Sequence, residues 1–444
     1  MGREDEMNEQ VSLRIALTGD SMIVRRALVE QDTATRELVE LVRDADVAFT
    51  NLESLPNGFR GHPSLDCGGT HMSAPPSVID QLTAAGFDLF GAATNHALDY
   101  SIEGLLAAIE ALESRGVAFA GVGRNLAEAR MPAYFEHPRG TVALIACVST
   151  FARGQVAAEQ RPDLPGRPGV NPLRFETAYE VTPDDLAALR RIAEGLGVEQ
   201  QRLDLIQLGF GFPPDDPEFF PFLGANFKAA NQTAIKTQPN KRDLEAIAKW
   251  VREARNRADV VMVSMHSHEQ GAGKEDPAEF TRSFAHQMIE AGADLIVGHG
   301  PHLLRGMELY QGKPVFYSLG NFIAQNDLIE KVPADGYDRF RVDQDATPSE
   351  IFLARSQHGE KGFPADRRYW ESVMPLCHIH AGELQAIELV PLALGHGQPA
   401  QRRGRPRLAR GAEGQEILER FAALSQPFGT RLEVGGERAL VRLS

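Results

Sequence analysis

Short runs of β-branched and apolar residues alternate with segments of helical spacing along most of the chain, and the runs end in polar residues. VSLRIALT at 11–18 reads as a strand that delivers Asp20 to its carboxyl end. Residues 35–44 have helical spacing, and DVAFT at 46–50 is a second strand ending at Asn51-Leu52-Glu53. Pro75-Pro76 opens a helix to about Ala85, since proline is tolerated in a first turn. A third strand, 87–93, runs into Thr94-Asn95-His96, and Ser101 starts a helix that stops at Gly116. Further strands are predicted at 117–120, 141–149, 259–265, 294–297, 306–310 and 314–318, with helices at 241–257 and 277–291. The last strands lead to Gly298-His299 and to Leu319-Gly320-Asn321-Phe322.

This alternation predicts a layered α/β core over 11–323. Polar residues recur just beyond strand ends, where open α/β sheets place their ligands. Two stretches break the rhythm. Residues 151–240 are rich in Pro and Phe (GFGFPPDDPEFFPF), with one helical stretch after Thr182, and 324–375 are polar and charged. Both read as insertions that wall the site as a lid, because long insertions in a compact domain are functional or disordered and these hold enough Phe, Trp and Arg to order. Phe210, Phe212, Phe219, Phe220 and Phe222 are expected to form lid core. Residues 376–444 read as a hairpin turning at Gly382, a helix and two strands that complete the core.

Composition narrows the function. A net charge of −15 over 444 residues disfavours nucleic acid and membrane surfaces, both polyanions. The basic local exception, Arg402, Arg403, Arg405, Arg407 and Arg410, reads as a solvated loop. Three scattered cysteines without a C-x-x-C pair exclude a thiolate zinc site, and Cys147 reads as core. MGREDEMNEQ lacks the basic start and apolar stretch of a signal peptide, and Glu6 stands where myristoylation of Gly2 needs Ser or Thr. The longest apolar run, 142–148, falls short of the ~18 residues of a membrane helix. A cytoplasmic protein without membrane or nucleic-acid partners is expected; the sequence leaves the oligomeric state open.

Five strand ends carry oxygen and nitrogen donors: Asp20; Glu53; Asn95 with His96; His266 with His268 and Glu269; and His299 with His302. Carboxylate, amide and imidazole donors without thiolates suit Mn, Mg, Zn or Fe. Gly19-Asp20, Asn51-Leu52-Glu53, Thr94-Asn95-His96-x-x-Asp99, Gly298-His299-x-Pro301-His302 and Tyr317-Ser318-Leu319-Gly320-Asn321-Phe322 resemble, in this order, the motifs of the CapA/PgsA family. That family is named for poly-γ-glutamate capsule synthesis and is similar to the calcineurin-like metallophosphoesterases.

The resemblance implies a four-layer αββα metallophosphoesterase-like sandwich with one or two divalent ions. It implies Asp20, Glu53, Asn95, His266 and His299 or His302 as ligands, with Glu53 in place of the usual bridging Asp. His96 would be the catalytic imidazole, and Asp99 reaches it if the segment turns helically, fixing its tautomer and basicity. Two departures stand out. Met22 replaces a histidine ligand of the wider group, and His266-Ser267-His268-Glu269 replaces His-Trp-Gly-x-Glu, which offers His268 as a substitute ligand and leaves Glu269 as a metal or pocket residue. The membrane anchor usual in capsule-type members is not expected here.

These readings converge on a soluble, divalent-metal-dependent hydrolase of a small anionic substrate or peptide, acting on an amide (γ-glutamyl-type) or phosphoester bond. The alternatives are a phosphomonoesterase or nucleotidase, and a non-catalytic accessory protein of poly-γ-glutamate synthesis. Arg339, Arg341 and Arg368 of the second insertion, with Asn321, are expected to hold the substrate anion, since Arg binds carboxylate and phosphate bidentately. His71, after a glycine turn, is a lesser pocket candidate.

Overall fold

The computed structural model describes residues 12–28 and 32–443. The readings of the first ten residues, of Gly2 and of Val11 as a strand start lie outside the described residues.

The polar-ended strands fall into two sheets. In the larger, of ten strands, Ser12–Met22 lies between antiparallel Glu371–His380 and parallel Val47–Leu52, followed by Leu89–Gly91 and Ala118–Ala120. In the smaller, of six, Val260–His266 lies between Gly140–Val148 and Leu295–His299, both parallel to it. Lys313–Leu319 follows, and Leu304–Tyr310 and Ala133–His137 form the edges.

The central strands are apolar on both faces because both faces are covered. Leu13, Ile15 and Leu17 meet Val260, Met262, Leu295 and Val297 of the other sheet. Ala16, pointing the opposite way, meets Leu38 and Val42 of helix Thr33–Arg43 and Leu82 of helix Ser77–Ala84. Val261, Val263 and Met265 meet Ile247 and Val251 of helix Lys241–Arg255 and Phe284 and Met288 of helix Glu279–Glu290. The protein is therefore mixed α/β, with one apolar layer shared between two sheets and helices on their outer faces. Each buried Leu or Ile contributes ~1.5–3 kcal/mol. A one-residue slip would turn such a row the other way, so the core fixes where each strand ends.

The first insertion is more structured than its sequence predicts. Gly169–Val170 pairs back onto Val122–Gly123 of the core. Phe175–Val181, Phe220–Phe222, Ala225–Ala229 and Ala234–Pro239 then form a separate four-stranded sheet, with helices Pro183–Gly195 and Val198–Gln207. Phe220 joins Leu186 in a small core, whereas Phe210 and Phe212 are 81% and 87% exposed. Phe175 stacks on Phe280 at 4.3 Å, which seats this sheet against helix Glu279–Glu290. In the second insertion, Thr347 and Glu350 cap helix Pro348–Arg355 reciprocally.

The C-terminal hairpin, Glu371–His380 with Glu383–Ala393, starts inside the stretch read as second insertion, because Glu371–His380 pairs with Ser12–Met22. Arg403, Arg407 and Arg410 of the basic segment pair with Asp327, Glu413 and Glu37. No helix among the described residues is long and apolar enough to cross a membrane.

Candidate metal centre

Strand register assembles the donors. Asp20 stands opposite both Asn51 and Asn321 on its two neighbouring strands, and His266 stands opposite His299. The parallel strands of each sheet end on the same side, and the shared apolar layer brings the two ends together. Close approach is built into the backbone: a Cβ on Gly19 would lie 1.9 Å from the Gly320 carbonyl oxygen. His302 takes a left-handed φ of 60°, uncommon for a residue with a side chain and frequent at functional sites.

Two overlapping donor sets result, Asp20–Glu53–His266 and Glu53–His268–His302. Glu53 Oε1 lies 3.8 Å from His266 Nε2 and 3.5 Å from His302 Nε2, and Asp20 Oδ2 lies 3.6 Å from His302 Nδ1. Asn95 Oδ1 is 3.0 Å from His266 Nε2. Glu53 is fully buried, and neither of its carboxylate oxygens has a hydrogen-bond partner among the described residues. Burying a charge without a partner is costly, so this carboxylate fits a cation beside it. Burial, Asp20 and Asp99 together raise the Glu53 carboxyl well above its usual range. Burial pushes Asp20 up to about 7, opposed by the Gly300 N–H and the Asn51 amide. His266 and His268 are held well below the usual imidazole range by burial and by neighbouring histidines, and burial lowers His302 to about 3. Neutral imidazoles facing two desolvated carboxylates are donors that could hold a metal ion.

His299 joins neither set. Its ring packs 5.5 Å from that of Phe49, and both its nitrogens are buried without hydrogen-bond partners among the described residues. Asn321, expected at the substrate, orients His302 instead: its Oδ1 faces His302 Nδ1 at 3.0 Å, and its amide donates to the carbonyls of His302 and Tyr369. Such outer partners fix a ligand's tautomer. Asn51, whose amide donates to Asp20 Oδ1 at 2.8 Å and lies 3.2 Å from His266 Nδ1, is an orienting residue that sequence reasoning did not single out. Glu269 accepts the hydroxyls of Ser149, Thr150 and Ser267, while Thr150 also accepts the His268 N–H. Glu269 therefore braces the loop that carries His268.

His96 Nδ1 lies 2.6 Å from Asp99 Oδ2, which also accepts the Met72 N–H. That leaves His96 Nε2 facing Glu53 at 4.0 Å, beside the open cavity. Gly68 packs over the pair so closely that a Cβ there would lie 2.1 Å from the Asn95 amide nitrogen and 2.9 Å from the His96 ring.

The cavity measures about 300 Å³ and is lined by His96, His268, His302 and Met22 on the side of the two donor sets. The second insertion supplies Asn326, Arg355, Phe363 and Tyr369, and Phe363 packs edge-on to His302 at 5.1 Å. The first insertion supplies no lining residue; Gln155 reaches the Asn95 carbonyl at 3.5 Å from behind. None of the three predicted substrate arginines lines the cavity. Arg368 is held by Asp366 and Glu275, Arg341 caps a helix at φ 55°, and Arg339 contacts Cys67 Sγ at 3.9 Å. His71, buried, turns to the Ser64 carbonyl. The cations that do line the cavity are Arg305, Arg355 and Lys274, which sequence reasoning missed. The available signal was an arginine inside the apolar run LRGMELY, just after the His302 motif.

The model of the family described as bacterial capsule synthesis protein PGA_cap matches residues 14–326, the stretch that holds every donor above. The chain belongs to the PGA_cap family. An uncharacterized protein of Sinorhizobium fredii, y4sH, is 36% identical over 96% of this chain and 92% of its own length. Capsule biosynthesis protein CapA of Bacillus anthracis is 23% identical over 71% of this chain and 60% of its own. A probable polyglutamine synthesis accessory protein of Mycobacterium tuberculosis is 26% identical over 60% of this chain and 51% of its own. Within this PGA_cap chain, Met22 lines the cavity, and His268 stands in a donor set with Glu53 and His302.

Proposed function

We propose that this PGA_cap protein is a divalent-metal-dependent hydrolase of a small anionic substrate, attacking an amide of γ-glutamyl type or a phosphoester. On this reading the two facing sheets are a metallophosphoesterase-like αββα sandwich, with the second insertion as the wall of its site. The observation that carries the reading is Glu53: a buried carboxylate with two unpartnered oxygens, shared by both donor sets.

Asp20, Glu53, Asn95, His266, His268 and His302 would hold the metal. A divalent ion there supplies Lewis acidity to the bond attacked. His96, braced by Asp99, presents Nε2 to the cavity and can hand a proton to the leaving group. Phe363 and Tyr369, stacked at 4.3 Å, exclude water from the His302 side.

A second reading, a non-catalytic accessory protein of poly-γ-glutamate synthesis, draws support from the name of the Mycobacterium relative. Hydrolysis assays with γ-glutamyl peptides and phosphomonoesters, with and without added Mn or Zn, separate the two. Metal-dependent turnover abolished in His96→Ala supports the enzyme. Metal uptake without turnover on either substrate class supports the accessory role.

A further inference from the structure

Arg305 is 2% exposed in a protein of net charge −15, yet it forms no ion pair among the described residues. Among the described residues its one hydrogen bond runs from Nε to the Lys274 carbonyl at 3.1 Å, which leaves the two terminal guanidinium nitrogens without acceptors there, at the cavity wall. Glu269 and Asp276 are near enough to act on its charge, but Glu269 is engaged by three hydroxyls. Arg355 enters the same cavity from the second insertion. Its guanidinium donates to Thr70 Oγ1 at 2.7 Å and has no carboxylate partner among the described residues. Lys274 also lines the cavity, with Nζ 3.3 Å from the Tyr369 hydroxyl and no carboxylate partner there either. A buried guanidinium with no carboxylate at ion-pair distance among the described residues is costly, and three cations on one wall repel one another. Their charge reaches the metal side: Arg305 acts on His268 and Arg355 on His302.

We propose that the Arg305–Lys274–Arg355 wall receives a second anionic group of the substrate, a carboxylate or phosphate separate from the bond attacked at the metal centre. The assignment rests on the hydrolase reading for what happens at the neighbouring donors, but not for the binding of the anion. Guanidinium pairs grip either oxyanion bidentately, and an ammonium adds a mobile point charge. The substrate class is therefore a small compound with its anion at one end and its scissile group at the other, sized to the roughly 300 Å³ of the cavity.

Calorimetric titration of the full chain with glutarate, and separately with inorganic phosphate, tests this in chelator-treated protein, with metal content measured in parallel. Wild type should bind at least one of the two, and the tighter binder identifies the anion as carboxylate or phosphate. Arg355→Met and Lys274→Met should each weaken that binding ~10- to 100-fold, the value of a charge-assisted hydrogen bond, with metal uptake unchanged. Arg305→Lys, which keeps the charge but loses the fork, should weaken it too. If Arg305→Lys fails to fold, the two exposed-residue variants decide. No binding of either anion by wild type, or equal binding by both methionine variants, overturns the proposal. Metal uptake with variant-insensitive anion binding would leave the hydrolase reading standing and this one fallen. Variant-sensitive anion binding without metal uptake would do the reverse.

Discussion

Replacing Glu53 by Gln removes the carboxylate that both donor sets share, and the consequence for stability has a definite sign. In the metal-free protein, burial and the nearby Asp20 and Asp99 hold the Glu53 carboxyl well above its usual value of 4.5. A buried acid with a raised folded pKa costs nothing below pH 4.5, where folded and unfolded forms are both protonated. The cost grows as pH rises, because only the unfolded chain then ionises freely. At pH 7.5, three units above 4.5, it reaches up to ~4 kcal/mol at ~1.4 kcal/mol per unit. Unfolding entropy of ~2.1 cal/mol/K per residue over 444 residues converts this to about 4 °C in Tm. Chelator-treated Glu53→Gln should therefore melt up to about 4 °C above wild type at pH 7.5, with the gap closing towards pH 5. Added Mn should close this gap, since a ligand at ~1,000 times its Kd stabilises by ~4.1 kcal/mol and the variant has lost the shared donor. Scanning calorimetry at pH 5, 6.5 and 7.5, with and without Mn, reads all of this. A pH-independent gap, or a metal-free variant less stable than wild type at pH 7.5, would refute the reasoning.

Three further outcomes follow from the same geometry. His96→Ala should cut turnover ~10²–10⁴-fold while metal content by elemental analysis stays at the wild-type level, because Asn95 and not His96 faces the His266 donor. Asn321→Ala should weaken metal affinity ~10- to 100-fold by releasing His302, whereas Arg368→Met, at a surface ion pair, should leave kcat/KM unchanged; metal titration and steady-state kinetics check the two. Gly68→Ala should impair turnover and metal binding together, since its Cβ would displace the Asn95 amide and the His96 ring, and a crystal structure of the variant with both side chains unmoved would count against that.

The candidate donors were legible in the sequence because each follows an apolar run, and a strand buried on both faces announces where it ends. Asp20, Glu53, Asn95 and His266 could be placed from that pattern together with the family resemblance. What each polar group touches was not legible. Asn321 and His299 occupy similar strand-end positions, but only the register across neighbouring strands turns one to His302 and leaves the other against Phe49. The substrate arginines failed for a related reason: a sequence shows that Arg368 is basic, not that Asp366 two residues before it takes up its charge. The strands of the first insertion escaped because most of their residues are half-buried or exposed on both faces, as in Phe175–Val181, and helix Val198–Gln207 buries nothing. Without a covered face there is no periodicity to read.

The central claim is a divalent metal centre built on Glu53, and elemental analysis of tag-free protein purified without chelator tests it most directly. Wild type should carry about one to two ions of Mn, Zn, Fe or Mg per chain, and Glu53→Gln purified alongside should carry far less. Less than ~0.2 ion per wild-type chain, with no gain when Mn or Zn is supplied to this oxygen- and nitrogen-donor site, would contradict the account.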